Sequence, residues 1–147
     1  MLFRSYWFIK GAESDDALDE RYTAQAFLNA VYDAVLELDE QTRALPANSR
    51  MLLTLLTYCY ARGVYSAEAI AAAAQEDAVV RYICAHDYPT AGEIRDFRRN
   101  RKDLVVQALA KALEMDSFFR PRLFSAQQES ERRVAKAIQW DSFELDL

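Results

Sequence analysis

The densest group of residues able to do chemistry is basic and lies in one short stretch, Arg95–Lys102. On a helix with about 100° between residues, four of its side chains share one arc of about 100°: Arg95, Arg98, Arg99 and Lys102. We expect Ile94 and Phe97 to point away from this arc, into the core. A helix anchored in that way presents a basic face, the kind of surface that contacts DNA phosphates or enters a major groove.

The same charges also fit a solvated face whose arginines pair with Asp96, Asp103 or acids of another helix. Both interpretations stay open at this stage. If the face binds DNA, replacing Arg98 and Arg99 by alanine weakens binding and reduces its dependence on salt. Because exposed arginines contribute little to folding, stability is expected to change little. A second basic patch, formed by Arg132, Arg133 and Lys136, is interpreted as a solvated face.

Metal or nucleophilic chemistry has little support in the sequence. Cys84, His86 and Asp87 lie close together, but the chain has one histidine, and this spacing is not that of zinc ligands. No glycine-rich nucleophile elbow or phosphate-binding loop is present. We therefore expect no metal, no cofactor and no catalytic activity, with His86 in an exposed loop. Cys59 and Cys84 lie in apolar helical patterns and are expected to be free, buried thiols.

The charge balance restricts any contact with nucleic acid to a local surface. The chain has 147 residues and a net charge of −5, which is the sum of −6 for residues 1–90 and +1 for residues 91–147. The overall field therefore repels phosphate. The apolar run at the start of the sequence ends before the acidic residues that begin at Glu13. This run is too short for a signal peptide or a membrane span. We expect a cytoplasmic protein without a membrane partner.

The elements that must position these residues are helices. Only three glycines and three prolines are present, and alanine, leucine, glutamate and arginine are abundant, a composition typical of helices. We predict an all-α, compact single-domain bundle of about six to seven helices, compatible with a helix-turn-helix-like core. Its expected parts are an N-terminal arm and acidic loop (1–20), the main helical domain (21–120), and a C-terminal helix with an acidic tail (121–147).

Local signals predict where several of these helices begin and end. Ser66, Thr90 with Glu93, and Ser125 with Gln128 have the pattern of N-terminal caps. Asn48 or Ser49 is predicted to cap the helix that ends at Gly63, a residue suited to a left-handed C-terminal cap. The final helix is expected to run to about Gln139. Two apolar stripes are expected to face the core. The first consists of Tyr22, Ala26, Phe27, Ala30, Val31, Ala34, Val35 and Leu38, and the second of Leu104, Val105, Ala108, Leu109 and Ala112.

Three further expectations concern side chains. Asp77 and Arg81 are expected to form an ion pair at i,i+4. A set of tyrosines at helical spacing is expected in the core: Tyr58, Tyr60, Tyr65 and Tyr82. The arm that contains Leu2, Phe3, Tyr6, Trp7 and Phe8 is expected to pack against a protein surface, either its own domain or a dimer partner.

A set of landmarks across the middle of the chain resembles a known family. The first half of the set is Arg50 to Leu53, Leu55-Leu56, Tyr58, Tyr60-Ala61, Gly63-Val64, Ser66 and Ile70. The second half is Asp77, Arg81-Tyr82, Pro89, Ile94 and Phe97 to Arg99. In order and spacing they are similar to the helical N-terminal domain of bacterial insertion-sequence (InsH-like) transposases. The similarity is strong over about fifty residues and weaker from about Leu38 to Leu113.

This resemblance implies a role in recognising element ends or in assembling a transposition complex. In such transposases the helical domain precedes a ribonuclease-H-like domain with three catalytic carboxylates, and we expect no such domain in this chain. We take Asp141, Glu144 and Asp146 as a mobile acidic tail and not as remnants of that triad. The leading hypothesis is a non-catalytic DNA-binding or transposase-accessory module. The alternative is a protein-interaction or dimerisation adaptor without DNA contact.

Overall fold

The computed structural model describes residues 27–39, 46–115 and 124–145, and within these ranges the chain forms seven α-helices and no strand. The predicted all-α class is confirmed for this part of the chain. In chain order the helices are α1 (27–39), α2 (Ala47–Ala61), α3 (Ala67–Glu76), α4 (Ala78–Cys84), α5 (Ala91–Asn100), α6 (Lys102–Met115) and α7 (Ala126–Leu145).

Helix α2 is the centre of the bundle. Every residue from Leu52 to Tyr60 is buried, so this part of the helix is enclosed on all sides instead of having one exposed face. It packs against α4, α5, α6 and α7. The centre of its Tyr58 ring lies 5.8 Å from the centre of the Phe27 ring on α1. The described helices thus share one hydrophobic core, to which each contributes buried residues.

Helices α1 and α6 bury the stripes that the sequence predicts. On α1, the described members of the stripe are all buried: Phe27, Ala30, Val31, Ala34, Val35 and Leu38. On α6, the buried side contains Leu104, Val105, Ala108, Leu109 and Ala112, as expected. Each set recurs with the three- and four-residue steps of an amphipathic helix. The buried face of each helix can therefore be predicted from its own sequence.

The last helix is longer than predicted. Helix α7 packs along α6 and runs to Leu145, past the expected end near Gln139. Ser130, on its buried side, donates a hydrogen bond to the Val106 carbonyl at 2.6 Å. Asp141 is buried, so the expectation that it belongs to a mobile tail is wrong. Asp141 was expected in a solvated tail because an acidic residue is rarely buried unless it is paired. The partner of Asp141 lies in a distant helix, so the local sequence does not reveal it.

Three of the predicted caps are confirmed. The Ser66, Thr90 and Ser125 hydroxyls each accept a hydrogen bond from the backbone N–H three residues later, at 3.1 to 3.3 Å. Gln128 completes its cap by accepting from the Ser125 backbone N–H at 3.0 Å. These bonds satisfy backbone donors that have no partner within the helix, and they fix where α3, α5 and α7 begin.

Two local predictions are wrong. Helix α2 begins at Ala47, and its N-cap residue is Pro46, which has no side-chain acceptor; the Pro46 carbonyl accepts from the Arg50 backbone N–H at 3.0 Å. Asp77 does not pair with Arg81. Its carboxylate instead caps α4, accepting from the backbone N–H groups of Val79 and Val80, while Arg81 donates to the Gln75 carbonyl at 2.7 Å.

Parts of the sequence interpretation lie outside the described residues. The aromatic arm at Leu2–Phe8 and both expected boundaries, near residues 20 and 120, are among them. The helix-turn-helix-like core also stays a prediction. Among the helices of the described ranges, none has the length and the apolar composition that crossing a membrane requires.

Gly63 ends α2 in the predicted left-handed conformation, with a φ of +84°. The Gly63 N–H bonds the Tyr60 carbonyl at 3.1 Å, and the Val64 N–H bonds the Cys59 carbonyl at 2.9 Å. This pair of bonds is the Schellman motif, which satisfies carbonyls at the end of a helix. It turns the chain from α2 towards α3.

Gly63→Ala is expected to lower the free energy of unfolding by about 1 kcal/mol, because alanine is disfavoured at positive φ. A Cβ at this position would meet nothing within 4 Å, so the loss reflects backbone conformation alone. Gly92→Ala is the matched control: it lies in the first turn of α5, and its Cβ would approach only the Thr90 hydroxyl, at 3.8 Å. The control should be neutral or stabilising by up to about 1 kcal/mol. Urea denaturation measures both variants, and equal losses would contradict the assignment.

Candidate functional site

Arg98, the centre of the predicted basic face, lies in the interior. Its side chain is 0% exposed, so the prediction that it faces outward with Arg95, Arg99 and Lys102 is wrong. The physical reason is its spacing from Ile94, which is fully buried. Residues four apart lie only about 40° apart around a helix, so Arg98 follows Ile94 into the core.

The buried guanidinium is held by three partners. It forms a two-pronged ion pair with Asp141 of α7, donating from Nη2 to Oδ1 and from Nε to Oδ2. Its Nη1 donates to the Tyr65 carbonyl at 2.6 Å and to the Tyr60 hydroxyl at 3.4 Å. We call these four residues, Arg98, Asp141, Tyr60 and Tyr65, the Arg98 cluster. It connects α5, α7 and the end of α2 through one side chain.

The charges within the Arg98 cluster compensate each other. Burial disfavours the charged guanidinium of Arg98, but its hydrogen bond to Asp141 and its contact with Tyr60 outweigh burial and raise its pKa. Burial also raises the pKa of Tyr60 well above its usual value, so the hydroxyl stays protonated. Since Arg98 and Asp141 are both enclosed and partnered, the cluster is suited to fixing the bundle and not to exchanging protons with a substrate.

The other predicted basic residues have different environments. Arg95 is largely buried and pairs with Glu68 of α3 at 3.3 Å. Arg99 is 48% exposed, and its Nε donates to Asp141 Oδ2 at 3.0 Å. Lys102 is exposed, and so is Arg101, the single residue between α5 and α6. We call Arg99, Arg101 and Lys102 the basic corner.

A second polar contact fixes α7 to α2. Glu129 accepts hydrogen bonds from Arg132 and Arg133, and these bonds, that from Arg132 foremost, lower its pKa. Arg133 also donates to the Tyr60 and Ala61 carbonyls, at 3.1 and 3.0 Å. It thereby satisfies carbonyls at the end of α2, so the interpretation of this patch as a solvated face is wrong for Arg133.

Cysteine and histidine show no arrangement that suggests chemistry. Cys59 and Cys84 are free and buried, as predicted, and burial raises the pKa of Cys84 to about 11. His86 and Asp87 are exposed in the turn after α4, where His86 was expected. No three metal-binding side chains come together in the described part of the chain.

Tyr82 departs from the tyrosines expected in the core. Tyr58 and Tyr60 are fully buried, whereas Tyr82 is 70% exposed. Its helix buries Val80, Ile83 and Cys84, and that spacing puts Tyr82 on the opposite side. The helical period of α4 therefore indicates that Tyr82 faces solvent. Grouping Tyr82 with the other tyrosines led to the wrong prediction that it is buried.

Tyr82 borders an open groove of about 460 Å³ between α1 and α4. We call it the Tyr82 groove; its lining consists of Leu28, Asn29, Tyr32, Ala78, Val79 and Tyr82. Tyr32 and Tyr82 both line this groove, and partial burial, together with the nearby Tyr82 and Cys84, raises the pKa of Tyr32. The groove is apolar and aromatic at its sides, a composition frequent at protein-binding surfaces.

Comparisons of this chain with protein-family models, with curated proteins and with solved structures give no match. The resemblance to transposase N-terminal domains stays an expectation from its sequence landmarks. The structure offers two candidate surfaces on different helices: the basic corner on α5 and α6, and the Tyr82 groove on α1 and α4.

Breaking the buried ion pair should be costly. Asp141→Ala is expected to lower the free energy of unfolding by about 3–5 kcal/mol, because it leaves Arg98 charged and buried without its main partner. Arg98→Met combined with Asp141→Ala should cost less than the sum of the two single changes. This replaces the expectation that changing Arg98 leaves stability unaltered.

Glu131→Ala is the control for this cycle, since Glu131 is exposed on the same helix. It should change stability by no more than about 0.5 kcal/mol. Chemical denaturation of the four proteins and the control measures the coupling. Strictly additive losses from Arg98→Met and Asp141→Ala would show that the pair has no mutual dependence.

Proposed function

We propose that the chain is a non-catalytic DNA-binding module, the role that the resemblance to transposase N-terminal domains implies. The observation that carries the proposal is the basic corner, where Arg99, Arg101 and Lys102 are accessible at one junction. Each of these side chains can neutralise one phosphate. Lys102 also begins α6, and the N-terminal end of a helix favours anions.

The buried pair supports this surface from beneath. Asp141 is held by Arg98, and its Oδ2 also accepts a hydrogen bond from Arg99, so the position of Arg99 depends on the ion pair. Arg98 is a positioning residue in this proposal and does not contact phosphate. The exposed acids Asp96 and Asp103 lie close in sequence to the basic corner. Together with the net charge of −5, they favour modest and strongly salt-dependent binding.

DNA binding should weaken with salt at a slope of log K against log salt of about −3, for three phosphate contacts. Arg101→Ala with Lys102→Ala should reduce the magnitude of that slope by about 2. Folding should be unaffected, because both side chains are exposed and neither is part of the Arg98 cluster. Fluorescence-polarisation titrations with labelled duplex DNA at several salt concentrations give these slopes.

Arg50→Ala with Lys111→Ala is the matched control, because it removes the same charge from α2 and the far end of α6. The control should bind DNA with the wild-type slope. Equal losses in the two double variants would mean that net charge alone matters. Undetectable binding of the wild-type protein at low salt would remove the DNA-binding proposal.

A second candidate function is a protein-binding adaptor without DNA contact. The exposure of Tyr82 beside an apolar groove favours it, because exposed aromatic residues are frequent among those that contribute most to protein interfaces. In this candidate the Tyr82 groove is the docking surface. The basic corner then has only the role of a solvated junction.

A photo-reactive phenylalanine analogue in place of Tyr82 should form covalent adducts with another protein molecule in the cells that produce the chain. The same analogue in place of Gln107, which is exposed on α6, should form few or none. Mass spectrometry of the adducts identifies the partner. Equal adduct yields from the two positions would count against a docking surface at the groove.

A further inference from the structure

The Tyr82 groove is part of a larger apolar surface with contributions from two helices. On α1, Leu36 is 57% and Tyr32 is 38% exposed, and on α4 Tyr82 is 70% exposed. Large apolar side chains that share one exposed surface are typical of an interface. Tyrosine is suited to such a position because its ring packs while its hydroxyl stays hydrated.

The charges beside this surface have opposite signs on its two helices. Asp33 follows Tyr32 on α1, and Arg81 precedes Tyr82 on α4; both residues are exposed. The Gln75 carbonyl accepts one Arg81 hydrogen bond at 2.7 Å and so restrains the side chain. A guanidinium has five N–H donors, so others are left for a carboxylate. The surface therefore has a negative charge beside it on α1, at Asp33, and a positive charge beside it on α4, at Arg81.

A surface with this charge pattern is complementary to itself. If a two-fold axis passes between α1 and α4, each helix faces the other helix of the second copy. Asp33 of each copy then lies against Arg81 of the other, and Tyr82 of each copy reaches the opposite groove. A different protein could bind this surface without the charge on α1 being opposite in sign to the charge on α4.

We propose that the Tyr82 groove binds a second copy of this chain in a two-fold dimer, with Asp33 paired to Arg81 across the interface. The proposal rests on the second candidate function, because it names the partner that the groove receives. An interface built on one groove and its two neighbouring charges is expected to bury less than the about 800 Å² per side of a standard interface. The dimer should accordingly be weak, with a dissociation constant on the order of micromolar.

Sedimentation equilibrium of the full chain over a wide concentration range is the test. The wild type should follow a monomer–dimer equilibrium, and Tyr82→Ser should weaken it by about tenfold or more. Asp33→Arg and Arg81→Asp, each alone, should weaken it to a similar extent, because like charges then face each other. The double variant Asp33→Arg/Arg81→Asp should restore the dissociation constant to within about threefold of the wild type.

Glu114→Arg is the matched charge reversal, exposed on α6 and away from the groove, and it should leave the equilibrium unchanged. A dimer that the double variant fails to restore would overturn the two-fold arrangement. A dimer insensitive to Tyr82→Ser would place the interface elsewhere. A wild-type monomer at all concentrations, with adducts from position 82 to a different protein, would overturn the dimer and leave the adaptor role intact. A monomer without such adducts would overturn both.

Discussion

The buried ion pair between Arg98 and Asp141 is the interaction on which the arrangement of the bundle depends. It joins α5 to α7, and through the Tyr60 hydroxyl and the Tyr65 carbonyl it also reaches the end of α2. Hydrophobic burial would hold these helices together without specifying how α7 is placed along them. A two-pronged pair tolerates little displacement, so it fixes the position of α7 where apolar contacts alone would permit sliding.

Much of the fold could be predicted from the sequence because its determinants are local. The stripe of α1, the caps at Ser66 and Thr90, and the left-handed Gly63 each depend on residues within a few positions. Asp141 lies 43 residues from Arg98, and no local pattern links them. The burial of Arg98 could have been predicted, because it lies four residues after Ile94 on the same helix. Its partner could not, because an acidic residue near a chain end is usually solvated.

The candidate sites follow the same division. A run of basic residues is visible in the sequence, but which of its members face solvent depends on packing between helices. Arg98 and Arg95 form ion pairs with acids of α7 and α3. The accessible positive charge therefore lies nearer to Arg101 and Lys102. The groove was not predicted at all, because it requires α1 and α4 to be neighbours. The two surfaces lie on different helices and can therefore be altered independently.

The position of Asp141 also determines how the chain can be divided. The sequence suggests a boundary near residue 120, and a shortened polypeptide ending there would contain every landmark of the transposase resemblance. It would also lack α7, leaving Arg98 without its carboxylate and the end of α2 without Arg133. The core face of α6 would lose the cover of Val134 and Ala137. A shortened polypeptide that keeps these contacts must therefore extend at least through Asp141.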